Sequence, residues 1–271
     1  TRYRSSAASD VYKRQGCCVF FVKLNLKIDF VILDETESTN SEALRRVKFV
    51  DKPTFILAKK QTNGRGRSAR LWVDPVGNFS GTILIKLDDD LQKLALRSFV
   101  AAISVYDAID EEIGSGHQLS LKWPNDILLN EKKICGILLE TKKIDNAIAL
   151  AIGIGINLMS VPRLEKLSQV TTEPGSIFNE SGIEIDPVEF CKSIANHYLF
   201  RESQFQEMGF SKIREIWMKR AANLGKEIVA RTPSSEYRGI FDSIDEKGQL
   251  VLTNNMEQMK IAAAEIFFSN G

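Results

Sequence analysis

The stretch KKQTNGRGRSARLW, Lys59 to Trp72, sets Lys59, Lys60, Arg65, Arg67 and Arg70 around two glycines, Gly64 and Gly66. No acidic residue lies between Asp51 and Asp74, although the 271-residue chain carries a net charge of only +1. Glycine lets a backbone approach a ligand closely, and arginine binds phosphate or carboxylate through a planar fork. The order Gly-Arg-Gly-Arg after a strand therefore suits a small anion. No Gly-Lys-Ser/Thr follows, so it is not a Walker loop. Arg67, Ser68 and Ala69 after Gly-x-Gly exclude a dinucleotide fingerprint. A solvated basic loop and an arginine-glycine contact to RNA stay open at this point.

The rest of the chain makes the positive charge a local device. At 44% hydrophobic and 26% charged residues it is an ordinary globular composition. Near-neutral charge argues against a broad nucleic-acid surface. Cys17, Cys18, Cys135 and Cys191 form no Cys-x-x-Cys pair, and His117 and His197 stand apart, so metal-ligand spacing is absent. The pattern reads as reduced, mostly buried thiols in a cytosolic protein. No apolar run approaches the roughly 20 residues of a membrane helix. GCCVFFV (Gly16 to Val22) is too short for one and lacks the surroundings of a signal peptide. The first fifteen residues, TRYRSSAASDVYKRQ, look unlike a domain; they resemble translated adapter sequence and are expected to be non-native and disordered.

Periodicity gives the elements. KIDFVIL, TFILAKKQ and NFSGTILIKL read as strands, the last with an edge that could pair across a dimer. TNSEALRRVKF reads as a helix, with Thr39 and Glu42 spaced as a capping box. Leu91 to Ile113 has helical apolar spacing. LSLKWPNDILLN and KKICGILLET read as two strands around the turn NEKK, and NAIALAIGIGINL as a long apolar strand. Asp186, Pro187 and Glu189 open a helix, and FSKIREIWMKRAA is another. Beyond it, GKEIVART, YRGIFDSID, GQLVLTNN and KIAAAEIFF are short strands at close spacing, a small antiparallel barrel. The expected architecture is α+β, a mixed-sheet domain followed by a small β domain.

Three further stretches carry polar groups at irregular points. In KWPNDILLNEKKICGILLE, Pro124 interrupts a strand and leaves Asn125 and Asp126 accessible, and a hairpin would return Lys133 to Asp126. An amide can read a base edge, and a carboxylate can hold Mg²⁺ or a ribose. The plain alternative is a proline turn with a surface lysine. In AIGIGINL, two glycines in a strand imply close approach of a ligand or backbone, or simply a bulge, with Asn157 at its end. In ETESTN, a hydroxyl pair sits at a helix N-terminus, where one caps the helix and the other is free for a ligand.

The succession ESTN, Q…GRGR…W, KWPND…K…G, GIGIN and a small β domain resembles the biotin protein ligases from about Ile28 to the C-terminus. The resemblance implies a mixed-sheet, class II synthetase-like catalytic domain (residues 28–222) and a small SH3-like β-barrel (residues 223–271), behind a tail of residues 1–27. It implies synthesis of biotinyl-5′-AMP from biotin and ATP, then transfer to one lysine of a biotin carboxyl carrier protein. Carried over by motif, Ser38, Thr39, Asn40 and Gln61 meet the biotin ring, Gly64, Arg65 and Arg67 close a loop over biotin and phosphates, and Gly136 and Gly153 line the biotin pocket. Arg67, Arg70, Trp72, Lys122, Asn125, Asp126 and Asn157 serve ATP and the adenylate, with Mg²⁺ beside Asp126 through the nucleotide. Lys133 and Arg67 are the catalytic pair.

Ser68 and Ala69 stand where the family loop often has Arg/x-Gly, and Ala69 takes positive φ only at a cost. Too few residues precede the ligase region for the DNA-binding domain of some relatives, so no nucleic-acid binding and no membrane contact are expected. The reading is a cytoplasmic monomer or homodimer. A lipoate–protein ligase shares the fold but would lack GRGRxxR.

Overall fold

A computed structural model of the chain describes residues 27–161, 172–254 and 257–268. The segment 1–26, with Cys17, Cys18 and the expected tail, lies outside them.

The larger unit is a seven-stranded mixed sheet. Its strands are β1 (Asp29–Leu33), β2 (Thr54–Ala58), β5 (Phe79–Leu87), β6 (Leu119–Lys122), β7 (Asp126–Leu129), β8 (Lys132–Ile144) and β9 (Ala147–Ile156), in the order β1-β2-β5-β9-β8-β7-β6. Only β1 and β2 run parallel. A two-stranded ribbon, β3 (Gly64–Arg65) with β4 (Leu71–Trp72), carries the basic loop between its arms. NFSGTILIKL is thus not an edge. β5 bonds β2 on one side and β9 on the other, and its backbone has nothing left to offer a second copy.

Alternation along the central strands sorts the two faces. In β9, Leu150, Ile152, Ile154 and Ile156 enter the main core, while Ala149, Ala151, Gly153 and Gly155 face the opposite way. The bulky face is covered by α2 (Leu91–Ile113) and by α4 (Pro187–Met208), which follows the short α3 (Ile177–Ser181), with α5 (Phe210–Met218) beside them. The small-residue face receives only α1 (Thr39–Arg46), whose Ala43 packs with Ile56, Leu84, Ala149 and Ala151. The first turn of α1 reaches Gly153 through Asn40, and beyond it the Gly155 end is left uncovered by any helix.

α2 spans the residues its periodicity predicts. α4 starts as expected: the Asp186 carboxylate accepts from the N–H groups of Val188 and Glu189, and Pro187 occupies the first turn. α1 differs. Its cap is Ser38, which accepts from Ser41 N–H at 3.4 Å, not Thr39 with Glu42. Glu42 turns instead to Arg45 and Arg46. LSLKWPNDILLN is also two strands, not one. A cis Trp123–Pro124 bond forms the turn between β6 and β7, and the next turn is Asn130–Glu131, both at positive φ.

The last segment is a five-stranded antiparallel sheet of β10 (Glu227–Arg231), β11 (Glu236–Ile244), β12 (Leu250–Asn254), β13 (Glu257–Ile261) and β14 (Glu265–Phe268), in the order β13-β12-β11-β10-β14. KIAAAEIFF splits into β13 and β14, and no pairing joins those two among the described residues. The five short strands make the small antiparallel β domain expected at the C-terminal end. It is tied down firmly. Phe99, Trp217 and Phe241 stack edge to face in series, and the Trp123 indole N–H donates to the Gly248 carbonyl at 3.0 Å. Leu121 bonds Arg220 and Ala222, so the connecting chain covers the β6 edge.

Candidate active site

Register assembles the site. Directly opposed residues share a face, and one cross-strand row reads Ser80, Gly155, Gly136, Asp126, Lys122 across β5, β9, β8, β7 and β6. Two motifs, KWPND…K…G and GIGIN, thus meet in a line with Ser80 on the small-residue face. Lys133 joins it through a bulge. Cys135 pairs with Ile127 but Lys133 with Leu128, so Ile134 is an extra residue. It turns Lys133 onto the side of Asp126, where Nζ lies 2.7 Å from Oδ1. Ile134 and Cys135 both stay in the helix-side core, which leaves the Cys135 thiol a packing group.

Above this row lies a cavity of about 1010 Å³. Every residue to which the resemblance gives a binding or catalytic role lines it except Gly64. Gly64 sits behind the wall, where a Cβ would lie 2.4 Å from Gln61 Nε2 and 2.6 Å from the Trp72 carbonyl oxygen. Six cationic side chains (Arg65, Arg67, Arg70, Lys122, Lys133, Arg231) line the cavity against two carboxylates, Asp126 and Glu265, so it favours anions.

The polar end is built on α1. Gln61 Oε1 accepts from Thr39 N–H at 2.9 Å and Thr39 Oγ1 at 3.2 Å, and Gln61 Nε2 donates to Ser80 at 3.3 Å. Thr82 Oγ1 lies 2.8 Å from Thr39 Oγ1 and 2.7 Å from Asn40 Oδ1. Hydroxyls and amides in this chain can each reverse donor and acceptor roles. Gly153 is required by Asn40, whose Oδ1 would lie 2.5 Å from an added Cβ. Gly136 and Gly155 are required by Trp72, whose ring lies across both.

The charged end holds Arg67, Asn125, Asp126, Lys122 and Lys133. Arg67 Nη1 donates to Asn125 Oδ1 at 3.4 Å, and Asn125 Nδ2 to the Ile137 carbonyl at 2.6 Å. Burial lowers the Arg67 pKa; Asp126 opposes this and Arg70 adds to it. Burial brings Lys122 down to about 8, against the pull of Asp126. Its ammonium meets Thr172 and the Phe268 ring, 4.8 Å to centroid. Asn157 is buried, and its amide donates to the Gly175 carbonyl at 2.9 Å. Arg70 pairs with Glu265 of β14. Ser68, at φ 55, takes the loop's left-handed position, so the strain expected of Ala69 falls on its neighbour.

Sequence reading missed Ser80, Glu140, Asp74 and the wall contributed by residues 263–267 of the last sheet, none of which carries a local signal. Gly155, one of the two glycines of AIGIGINL, lies on the cavity floor as the close approach read from that stretch implies.

Comparison with known proteins agrees with this geometry. Residues 31–157 match the biotin/lipoate A/B protein ligase family. The chain is 41% identical over 238 residues to the biotin–[acetyl-CoA-carboxylase] ligase of Paracoccus denitrificans, covering 88% of this chain and 99% of that one. It is 34% identical to the bifunctional ligase/repressor BirA of Bacillus subtilis, spanning 79% of this chain and 65% of the relative. The fold matches the Aquifex aeolicus biotin protein ligase solved with biotin and ATP, with TM-score 0.72 at 24% identity over 88% of this chain and 97% of that one. On this combined evidence the chain belongs to the biotin protein ligase family.

Proposed function

We infer that the chain is an ATP-dependent biotin protein ligase, and that the cavity above the Gly136–Gly155 row serves both half-reactions. The carrying observation is the meeting of Lys133, Lys122 and Arg67 around Asp126 and Asn125, on a floor of glycines, beside the hydroxyl-amide chain of Thr39 and Gln61. The polar end offers donors and acceptors to the biotin ureido group, with Ser38, Thr39, Asn40, Gln61 and Arg65 as its contacts. The charged end takes ATP. Trp72, Asn125 and Asn157 border the adenine, and Arg67, Arg70 and Lys122 face the phosphates.

In the first step a biotin carboxylate oxygen bonds to the α-phosphorus and the bond to pyrophosphate breaks. Two anions must approach, and Lys133 and Arg67 offset their repulsion and the charge of the transition state. In the second step an uncharged acceptor lysine of a biotin carboxyl carrier protein bonds to the acyl carbon, and AMP leaves. Positioning is the main requirement there. Among the described residues no three His, Cys, Asp or Glu side chains gather into a metal cage. The donor set suits Mg²⁺ carried on the phosphates, with Asp126 as its protein carboxylate. No helix among the described residues is long and apolar enough to cross a membrane. The buried free thiols Cys135 and Cys191 suit a reducing compartment, the cytoplasm.

The test is biotin transfer from ATP and biotin to a generic carrier domain, read with avidin. Lys133→Ala is expected to lower adenylate formation by about 100-fold or more, the scale of losing one transition-state charge stabiliser. A folded wild-type protein that makes neither biotinyl-AMP nor biotinylated carrier overturns the reading. A thermal shift by lipoate in place of biotin would favour the lipoate ligases.

A further inference from the structure

Glu140 on β8 is a carboxylate that touches both sides of the polar end. It does not line the cavity. It lies four pairs along the sheet from the Gly136 row, opposite Ala151, and so on the same face, the one that carries α1. Its Oε2 accepts from Asn40 Nδ2 at 2.7 Å. Both of its oxygens lie 3.1 Å from Arg65 Nη2, and the same nitrogen donates to Ser41 Oγ at 3.0 Å. Asn40 and Arg65 do line the cavity. They come from a helix and from a ribbon that forms no part of the main sheet.

We propose that Glu140 is a positioning residue for biotin, clasping Arg65 of the basic loop to Asn40 of α1 at the polar end of the cavity. This rests on the assignment of that end to biotin. The clasp uses a single guanidinium nitrogen. No hydrogen bond engages Arg65 Nη1 or Nε among the described residues, so that edge of the fork is left for the ligand. A carboxylate also suits the place because both neighbours present N–H donors. A neutral amide there would turn its own NH₂ toward one of them. Charge-assisted bonds of this kind are roughly twice as strong as neutral ones, and Arg65 has five rotor-linked donors to immobilise. Without Glu140 the loop arginine must be ordered by the ligand itself, which weakens binding.

Glu140→Gln separates positioning from folding. Biotin affinity is measured by calorimetry, the KM for ATP by pyrophosphate release, and melting temperature without ligands. We expect biotin to bind about tenfold more weakly, the scale of losing one charge-assisted hydrogen bond. The KM for ATP and the melting temperature stay near wild type, and Glu140→Asp recovers part of the biotin affinity. Unchanged biotin affinity in Glu140→Gln overturns the proposal, as does an equal loss for biotin and ATP. Should Glu140→Gln not fold, Glu140→Asp, whose shorter side chain cannot reach both Asn40 and Arg65 as Glu140 does, carries the test, and wild-type biotin affinity there overturns the proposal. A wild-type protein that binds no biotin instead removes the functional reading beneath it.

Discussion

Asp74 sits just behind the polar end, accepting from Gln61 N–H at 3.1 Å, with its other oxygen buried and unpartnered. Burial raises its pKa to about 6, and Ser80 and the Gln61 N–H pull it partly back. The unfolded group titrates near 3.8. Between those values the folded state holds the proton more tightly, so this group's contribution to stability is present below pH 3.8 and lost as pH rises through 6. Asp74→Asn keeps an acceptor for Gln61 without the charge. It is expected to stabilise the ligand-free protein by about 1–2 kcal/mol at pH 7.5, a gain that vanishes toward pH 4. Melting temperatures of both proteins across pH check this; a gain independent of pH would remove charge as its cause. Neither Asp74 nor Glu140 belongs to a recognisable motif. Their roles come from neighbours far along the chain, which no local reading of the sequence supplies.

At the scale of elements, β9 is both the spine of the core and the floor of the site. Its alternation of large and small residues was open to view in AIALAIGIGI, but which face would hold the ligand was not. An alanine at Gly155 would place its Cβ 2.4 Å from Trp72 Cε2, a contact that forces the ring to move. Gly155→Ala is expected to cost about 1–3 kcal/mol of stability, the range for overpacking, and to raise the KM for ATP. Chemical denaturation and pyrophosphate release test the two halves. An unperturbed indole fluorescence with an unchanged KM would show that Trp72 does not rest on this glycine. Helix α2 was legible to the residue because apolar spacing and chain length are local. The break at Pro124 was legible too, but the antiparallel pairing of the two short strands on either side of it was not, because pairing is set by the fold and not by the run itself.

Across the whole molecule, the last sheet forms a wall of the cavity and meets the basic loop through Arg70 and Glu265, and Lys122 through Phe268. Glu265→Lys is expected to raise the KM for ATP about fivefold, the scale of losing a partly exposed ion pair, while biotin affinity stays unchanged. Calorimetry with biotin and steady-state kinetics with ATP decide it. Equal loss of both ligands would mean that the sheet supports the cavity as a whole rather than its charged end. The central place of β5 also bears on assembly. A dimer built by extending the main sheet has to use another edge, because both sides of this strand are already bonded.

Read alone, the amino-acid order determined what depends on neighbours in the chain: the amphipathic helices, the glycines, the concentrated arginines and the succession of motifs that names the family. It placed the ligand-facing residues in four separate stretches without saying how they meet. Tertiary structure decided that. Strand register drew Ser80, Gly155, Gly136, Asp126 and Lys122 into one row, a single extra residue at Ile134 turned Lys133 toward Asp126, and the final sheet closed one side. The physical reason is that a strand's side-chain period is two, so one residue of register or one bulge reverses which face a group occupies. That choice is settled by packing between distant segments, not by any segment on its own.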